Sequence, residues 1–151
     1  MEISVSVNGK KLKSGLNPNS TLLNFLREHG YQSVKRGCET GECGSCAVIV
    51  DDVPRASCIT LALQVHEREV ITVEALSSRP DLSELQKRFI EVGAIQCGYC
   101  TPALLLLADN FLKNSAEPTE EEIREAISGV LCRCTGYAKP LEAISKVSGK
   151  A

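Results

Sequence analysis

Eight cysteines fall in two tight groups: Cys38, Cys43, Cys46 and Cys58, then Cys97, Cys100, Cys132 and Cys134. An even count invites a disulfide framework. Against it, the opening "MEISVSVNGK" alternates apolar and polar residues and has no secretory apolar core. Disulfides are also rare in reducing compartments, and staples would be spread along a chain, not bunched. Metal binding is the chemistry that thiolates at these spacings can do.

The first group reads Cys38-x4-Cys43-x2-Cys46, with Cys58 after eleven more residues. C-x4-C-x2-C followed by a distant cysteine is the plant-type [2Fe-2S] spacing. Four thiolates and two bridging sulfides make an anion, and reduction adds a further negative charge. A loop around it must turn backbone N–H groups toward sulfur. Gly37, Gly41 and Gly44 are the residues expected to supply positive φ and close backbone approach there. Zinc sites more often repeat C-x2-C and include histidine, and no histidine lies in this loop.

The second group pairs "CGYC" at 97–100 with "LCRC" at 131–134. Spacing alone admits either a second iron–sulfur cluster or a structural zinc. C-x-C is unusual in zinc ribbons, and the neighbouring iron–sulfur loop favours a matching cofactor. Arg133 lies between two of these cysteines as either a potential-tuning donor or a solvated charge. Tyr99 and Tyr137 read as packing residues, His29 and His66 as surface histidines. The chain has no G-x-G-x-x-G, no P-loop and no nucleophile paired with a base. What remains is outer-sphere transfer of single electrons.

The positioning elements divide into two kinds. In the first half Ile3, Val5 and Val7 alternate, and "NG" at 8–9 signals a type I′ hairpin. A helix follows over "STLLNFLREHG", capped by Ser20 or Thr21 and stopped by Gly30. "CAVIV" and "VPRASC" flank "DD" as a second hairpin that would hold Cys46 and Cys58, and "VITV" at 70–73 is a last strand. Strands wrapped about one helix suggest a β-grasp. The second half reads as helices. One is opened by Asp81 with Glu84 and striped by Leu82, Leu85, Phe89 and Val92. A second has Thr101 as N-cap and Pro102 at its first position. A third opens on the Thr119/Glu122 capping box, and a short final one begins at Pro140. The helix beginning near Pro102 and the one ending near Val130 would run antiparallel, so their cysteine-bearing ends could meet. The positive N-terminal end of the former suits an anionic cluster. "SSRP" at 77–80 marks the boundary between halves.

At 151 residues, 24% charged and 43% hydrophobic, with a net charge of −2, the composition is that of a soluble globular protein. There is no basic stripe for nucleic acid. "ALLLLA" at 103–108 is too short to span a bilayer and reads as bundle core or interface. A cytoplasmic location is expected.

"GCETGECGSC", "QCGYCTP" and "LCRCTGY" together resemble, in order, the three signatures of the small two-[2Fe-2S] subunit of molybdenum hydroxylases. That family includes xanthine dehydrogenase, aldehyde oxidoreductase and carbon monoxide dehydrogenase, and the resemblance spans essentially the whole chain. It implies an α+β fold: a plant-ferredoxin-like β-grasp domain over 1–76 and a helical four-helix-bundle [2Fe-2S]-binding domain over 77–151. It implies an electron-transfer subunit with no substrate-converting site of its own. Its partners would be a large molybdopterin-binding subunit, next to the bundle cluster, and a medium FAD-binding subunit, next to the ferredoxin-like one. Gln96 matches the family glutamine that touches the pterin. The chain departs from the usual pattern at Ala47, Ala103 and Val130, where threonine, glycine and asparagine are common. A freestanding two-cluster ferredoxin is the alternative, although such carriers are markedly acidic. A zinc-stabilised interaction module is a third.

Overall fold

The computed structural model describes residues 2–77, 82–115 and 117–148. Strand β1 (Glu2–Val7) buries its alternate residues Ile3, Val5 and Val7 completely. Asn8 and Gly9 then take φ of 51° and 78°, the paired left-handed conformation of a type I′ turn. β2 (Lys10–Gly15) returns antiparallel in the register Glu2↔Gly15. Helix α1 (Leu22–Glu28) starts where the Thr21 hydroxyl accepts the Asn24 N–H, and buries Leu22, Leu23, Phe25 and Leu26. Thr21, not Ser20, is the cap, and Gly30 at φ 91° turns the chain out of the helix.

β3 (Ala47–Val50) and β4 (Val53–Ala56) are joined by Asp51 and Asp52, again both left-handed. After a 3₁₀ turn at Ala62–Val65, β5 (Glu69–Ile71) inserts between β1 and β3, parallel to the first and antiparallel to the second. It is shorter and begins earlier than "VITV" suggests. The order β2-β1-β5-β3-β4, folded over α1, is the expected β-grasp.

The short helix α2 (Glu74–Ser77) follows β5 at the junction of the halves, and the helical half comprises α3 (Glu84–Glu91), α4 (Thr101–Asn114), α5 (Glu120–Ile127) and α6 (Ala138–Val147). Three helix starts differ from expectation. α3 is capped by Ser83 with Gln86 as the reciprocal partner. Asp81 lies outside the described residues, and Leu82 precedes the helix and is exposed. α4 begins at Thr101 with Cys100 as its N-cap and no side-chain cap. α6 begins two residues before Pro140, after Tyr137 in the left-handed conformation at φ 66°. Proline is tolerated in a first turn because its missing N–H would have no helical partner. The Thr119/Glu122 box on α5 is as expected.

Leu104, Leu106, Ala108, Phe89, Ile123, Ile127 and Ile144 form the helical core. Ile49 of β3 and Leu76 of α2 join that core, with Ala47, Ile71 and Val73 packed against it. The reverse face of β3 presents Val48 and Val50 to the β-grasp core. One strand thus serves both hydrophobic cores, since its side chains alternate between two covered faces.

Candidate metal centres

The first cysteine group occupies the loop between α1 and β3 and the turn after β4. Cys46 sits one residue before β3 and Cys58 two residues beyond β4, so both lie just outside the hairpin. The Ala47↔Ala56 pair and the bonds from Ser57 N–H and Oγ to the Cys46 carbonyl (3.3 and 2.7 Å) hold these ends together. The N–H groups of Thr40, Glu42 and Cys43 point at Cys38 Sγ from 3.4, 3.3 and 3.4 Å. The N–H of Cys38 points at Cys43 Sγ from 3.4 Å.

The inward-turned amides have electrostatic consequences. The Thr40 hydroxyl, then the Cys43 and Thr40 amides, bring the Cys38 thiol down to about 5. Burial pushes Cys58 up to about 11, helped by its hydrogen bond with Cys46 and by the Cys46 charge. Crowded, buried thiolates of like charge are what bound cations neutralise. Gly41 and Gly44 have positive φ, 84° and 67°, as expected. Gly37 does not; its part is close approach, since a Cβ there would lie 2.7 Å from Cys43 Sγ. The remaining left-handed residue is Glu39 at φ 58°, whose carboxylate pairs with Arg36.

The second group joins the N-terminus of α4 to the α5–α6 loop. Cys100 is buried at the N-cap of α4, where unpaired amides and the helix dipole favour negative charge. Its sulfur hydrogen-bonds with that of Cys132; burial, then this partner, pushes the Cys100 thiol up to about 12. Burial also pushes Cys132 upward, but the Thr135 hydroxyl and nearby amides outweigh it and hold that thiol below its ordinary value. Cys97 and Cys134 are exposed. Gln96 is exposed too, its Nε2 donating to the Cys134 carbonyl at 3.2 Å.

Each group therefore brings one pair of its thiols side by side, Cys46 with Cys58 and Cys100 with Cys132. Among the described residues no three Cys, His, Asp or Glu side chains gather for a single ion. A two-iron unit asks for two thiolates on each iron; Cys46 and Cys58, and Cys100 and Cys132, are neighbouring thiols, while Cys38 and Cys43 are joined by each one's backbone N–H to the other's sulfur. The donor set, the amides turned to sulfur and the space kept by Gly37 fit such a cluster.

The two loops also touch. Leu131 N–H donates to the Cys43 carbonyl at 2.9 Å. A Cβ on Gly44 would stand 2.0 Å from the Gly129 carbonyl oxygen. Tyr99 Oη donates to the Arg36 carbonyl at 2.6 Å. Tyr137 Oη accepts the Cys132 N–H at 2.9 Å and donates to the Val130 carbonyl at 3.1 Å. Both tyrosines thus bind cluster-loop backbone, a role their apolar neighbours do not announce. Arg133 is exposed, and His66 accepts the Ser4 N–H at the surface.

The family profiles described as "2Fe-2S iron-sulfur cluster binding domain" and "[2Fe-2S] binding domain" match residues 17–86 and 72–145. The small FeS subunit of nicotinate dehydrogenase from Eubacterium barkeri is 47% identical over 91% of this chain and 88% of its own length. The small subunit of nicotine 6-hydroxylase from Paenarthrobacter nicotinovorans is 42% identical over 99% of this chain and 91% of its own. Among solved structures, a chain of quinoline 2-oxidoreductase from Pseudomonas putida 86 superposes with a TM-score of 0.93 at 42% identity, covering 98% of this chain and 92% of that one. The α+β arrangement agrees with these relatives, and the chain belongs to the family of small, two-[2Fe-2S] electron-transfer subunits of molybdenum hydroxylases.

Proposed function

We propose that residues 1–76 hold one [2Fe-2S] cluster through Cys38, Cys43, Cys46 and Cys58. Residues 77–151 hold the other through Cys97, Cys100, Cys132 and Cys134. When bound, such clusters accept and release single electrons. The residues of this chain supply the thiolates, aim amides at Cys38 and Cys43, and keep water from the buried sulfurs of Cys46, Cys58 and Cys100. The single observation that carries the reading is the Leu131–Cys43 hydrogen bond, which seats one proposed ligand loop against the other.

The partners are a large molybdopterin-binding subunit and a medium FAD-binding subunit, and the assembly is cytoplasmic. The exposed residues Cys97 and Cys134, with Gln96 beside them, face the pterin. No helix among the described residues is long and apolar enough to cross a membrane. The substrate of the assembly is a nitrogen heterocycle. Supporting that choice, relatives named for nicotinate, nicotine and caffeine are 41–47% identical, whereas that named for aldehyde in Escherichia coli K12 is 35%.

The test is Cys132→Ser in the protein purified from its native host. Two distinguishable [2Fe-2S] EPR signals are expected from the wild type, of which the substitution removes one. Two surviving signals would overturn the ligand assignment. Elution as a free monomer would favour a freestanding ferredoxin, and a colourless zinc protein would end both redox readings.

A further inference from the structure

Resting on that ligand assignment, we propose that Thr135 sets the reduction potential of the second cluster by donating its hydroxyl proton to the sulfur of Cys132. Thr135 Oγ1 lies 3.0 Å from Cys132 Sγ. The same oxygen accepts the Tyr137 N–H at 3.2 Å. With a lone pair committed to that amide, and with a metal-bound thiolate carrying no proton, the hydroxyl hydrogen is the one that spans the contact.

The hydroxyl is held by a closed ring of bonds. Tyr137 accepts the Cys132 N–H through its phenol oxygen and passes its own proton to the Val130 carbonyl. The left-handed turn at Gly136 and Tyr137, φ 57° and 66°, folds this segment back on itself. Thr135 is thereby fixed between the backbone N–H of Tyr137 and the sulfur of Cys132.

Position gives the contact its consequence. Cys132 directly follows Leu131, whose N–H is bonded to the Cys43 carbonyl, so the sulfur that receives the hydroxyl belongs to a ligand adjoining the contact between the two groups. Reduction adds negative charge that spreads onto the ligand sulfurs. A donor to one of them stabilises the reduced form more than the oxidised form and raises the potential. Amides that point at sulfur are fixed by the fold, whereas this donor is a side chain and can be removed by one substitution. The driving force for electron transfer between the two cluster sites is therefore set in part by Thr135.

Thr135→Val in the intact assembly tests this, with each cluster followed by EPR as the solution potential is stepped. The second cluster is expected to move to a more negative potential and the first to stay in place. Thr135→Ser should restore the wild-type value. Thr135→Ala, which also lacks the hydroxyl, gives the same reading should valine prevent assembly. An unmoved second-cluster potential overturns the proposal, as does an equal movement of both. Loss of the cluster in both valine and alanine variants, with serine retaining it, also overturns it, because the hydroxyl would then hold the ligand and not tune it. Absence of any second cluster from the wild type would instead overturn the underlying ligand assignment.

Discussion

The backbone N–H of Leu131 donates to the carbonyl oxygen of Cys43 across 2.9 Å. Each partner is a cysteine of one proposed quartet or its immediate neighbour, so this bond fixes the separation of the two metal-binding loops. It requires the backbones to meet without side chains between them. Gly44 provides that closeness, since a Cβ there would run into the backbone of Gly129.

Gly44→Ala follows from the contact. The added Cβ would be 2.0 Å from the Gly129 carbonyl oxygen, on a backbone at φ 67°. Neither obstacle can be relieved by rotating a side chain. The left-handed conformation alone costs an alanine about 1–2 kcal/mol, and forcing the loops apart brings the total to about 3–5 kcal/mol. In thermal unfolding this is a fall of roughly 10 °C, accompanied by a weaker magnetic interaction between the clusters in EPR. A variant within about 1 kcal/mol of wild type would mean that the loops do not meet as described.

Gly37→Ala acts on sulfur instead. Gly37 has no positive φ, so alanine suits its backbone, but the Cβ would lie 2.7 Å from Cys43 Sγ. Cys43 must move, and with it one corner of the first quartet. Iron content should fall by about half, with the first-cluster EPR signal lost and the second retained. Full iron with both signals unchanged would exclude Gly37 from cradling the first site.

Much of the proposed site is legible in the residues because its candidate ligands are cysteines at diagnostic spacing. The two hairpins were equally plain, since Asn8–Gly9 and Asp51–Asp52 lie between alternating apolar runs and each takes paired positive φ. Helix starts were less so. Asp81 was the expected cap, but the reciprocal bonds go to Ser83 and Gln86, two residues on. Either residue type can cap; which one does depends on where tertiary packing of Leu85 and Phe89 begins the helix. Cys100 as the N-cap of α4 was hidden by Thr101, a better capping residue by type. The junction between loops was illegible for a different reason: Leu131 and Cys43 meet through backbone atoms, which carry no residue signature.

Tyr99→Phe tests a side chain expected only to pack. Its hydroxyl donates to the Arg36 carbonyl at 2.6 Å, tying the second cysteine loop to the residue before Gly37. Loss of a partly exposed hydrogen bond with the ring retained should cost about 0.5–1.5 kcal/mol. Chemical denaturation should show that loss while both cluster spectra persist. Loss of either cluster would assign Tyr99 a role in ligand assembly beyond this brace.

Glu74 governs the acid limit of the ferredoxin-like half. Its carboxylate accepts the Ser33 N–H at 3.1 Å and the hydroxyls of Ser33 and Thr72. Thr72 is bound in turn to Asn8, through bonds of 2.8 and 2.9 Å. One acid thus ties the first hairpin, the segment after β5 and the start of the Cys38 loop together. Burial raises the Glu74 pKa, but the hydroxyl and amide donors outweigh it and hold the group below its ordinary 4.5. A depressed folded-state pKa means that the unfolded chain takes the proton first. The stabilisation is therefore complete above pH 4.5 and is lost as pH falls through the folded value. Glu74→Gln removes this charge, and because the group is half exposed its loss should cost about 1 kcal/mol at neutral pH. Urea midpoints for wild type and variant should converge as the pH is taken below 4.5. Burial first, and then the Glu74 charge, also raises the Tyr31 pKa, so the variant should lower the alkaline ionisation of Tyr31 in ultraviolet absorption. A constant difference between the midpoints at every pH, with Tyr31 unmoved, would remove Glu74 from this role.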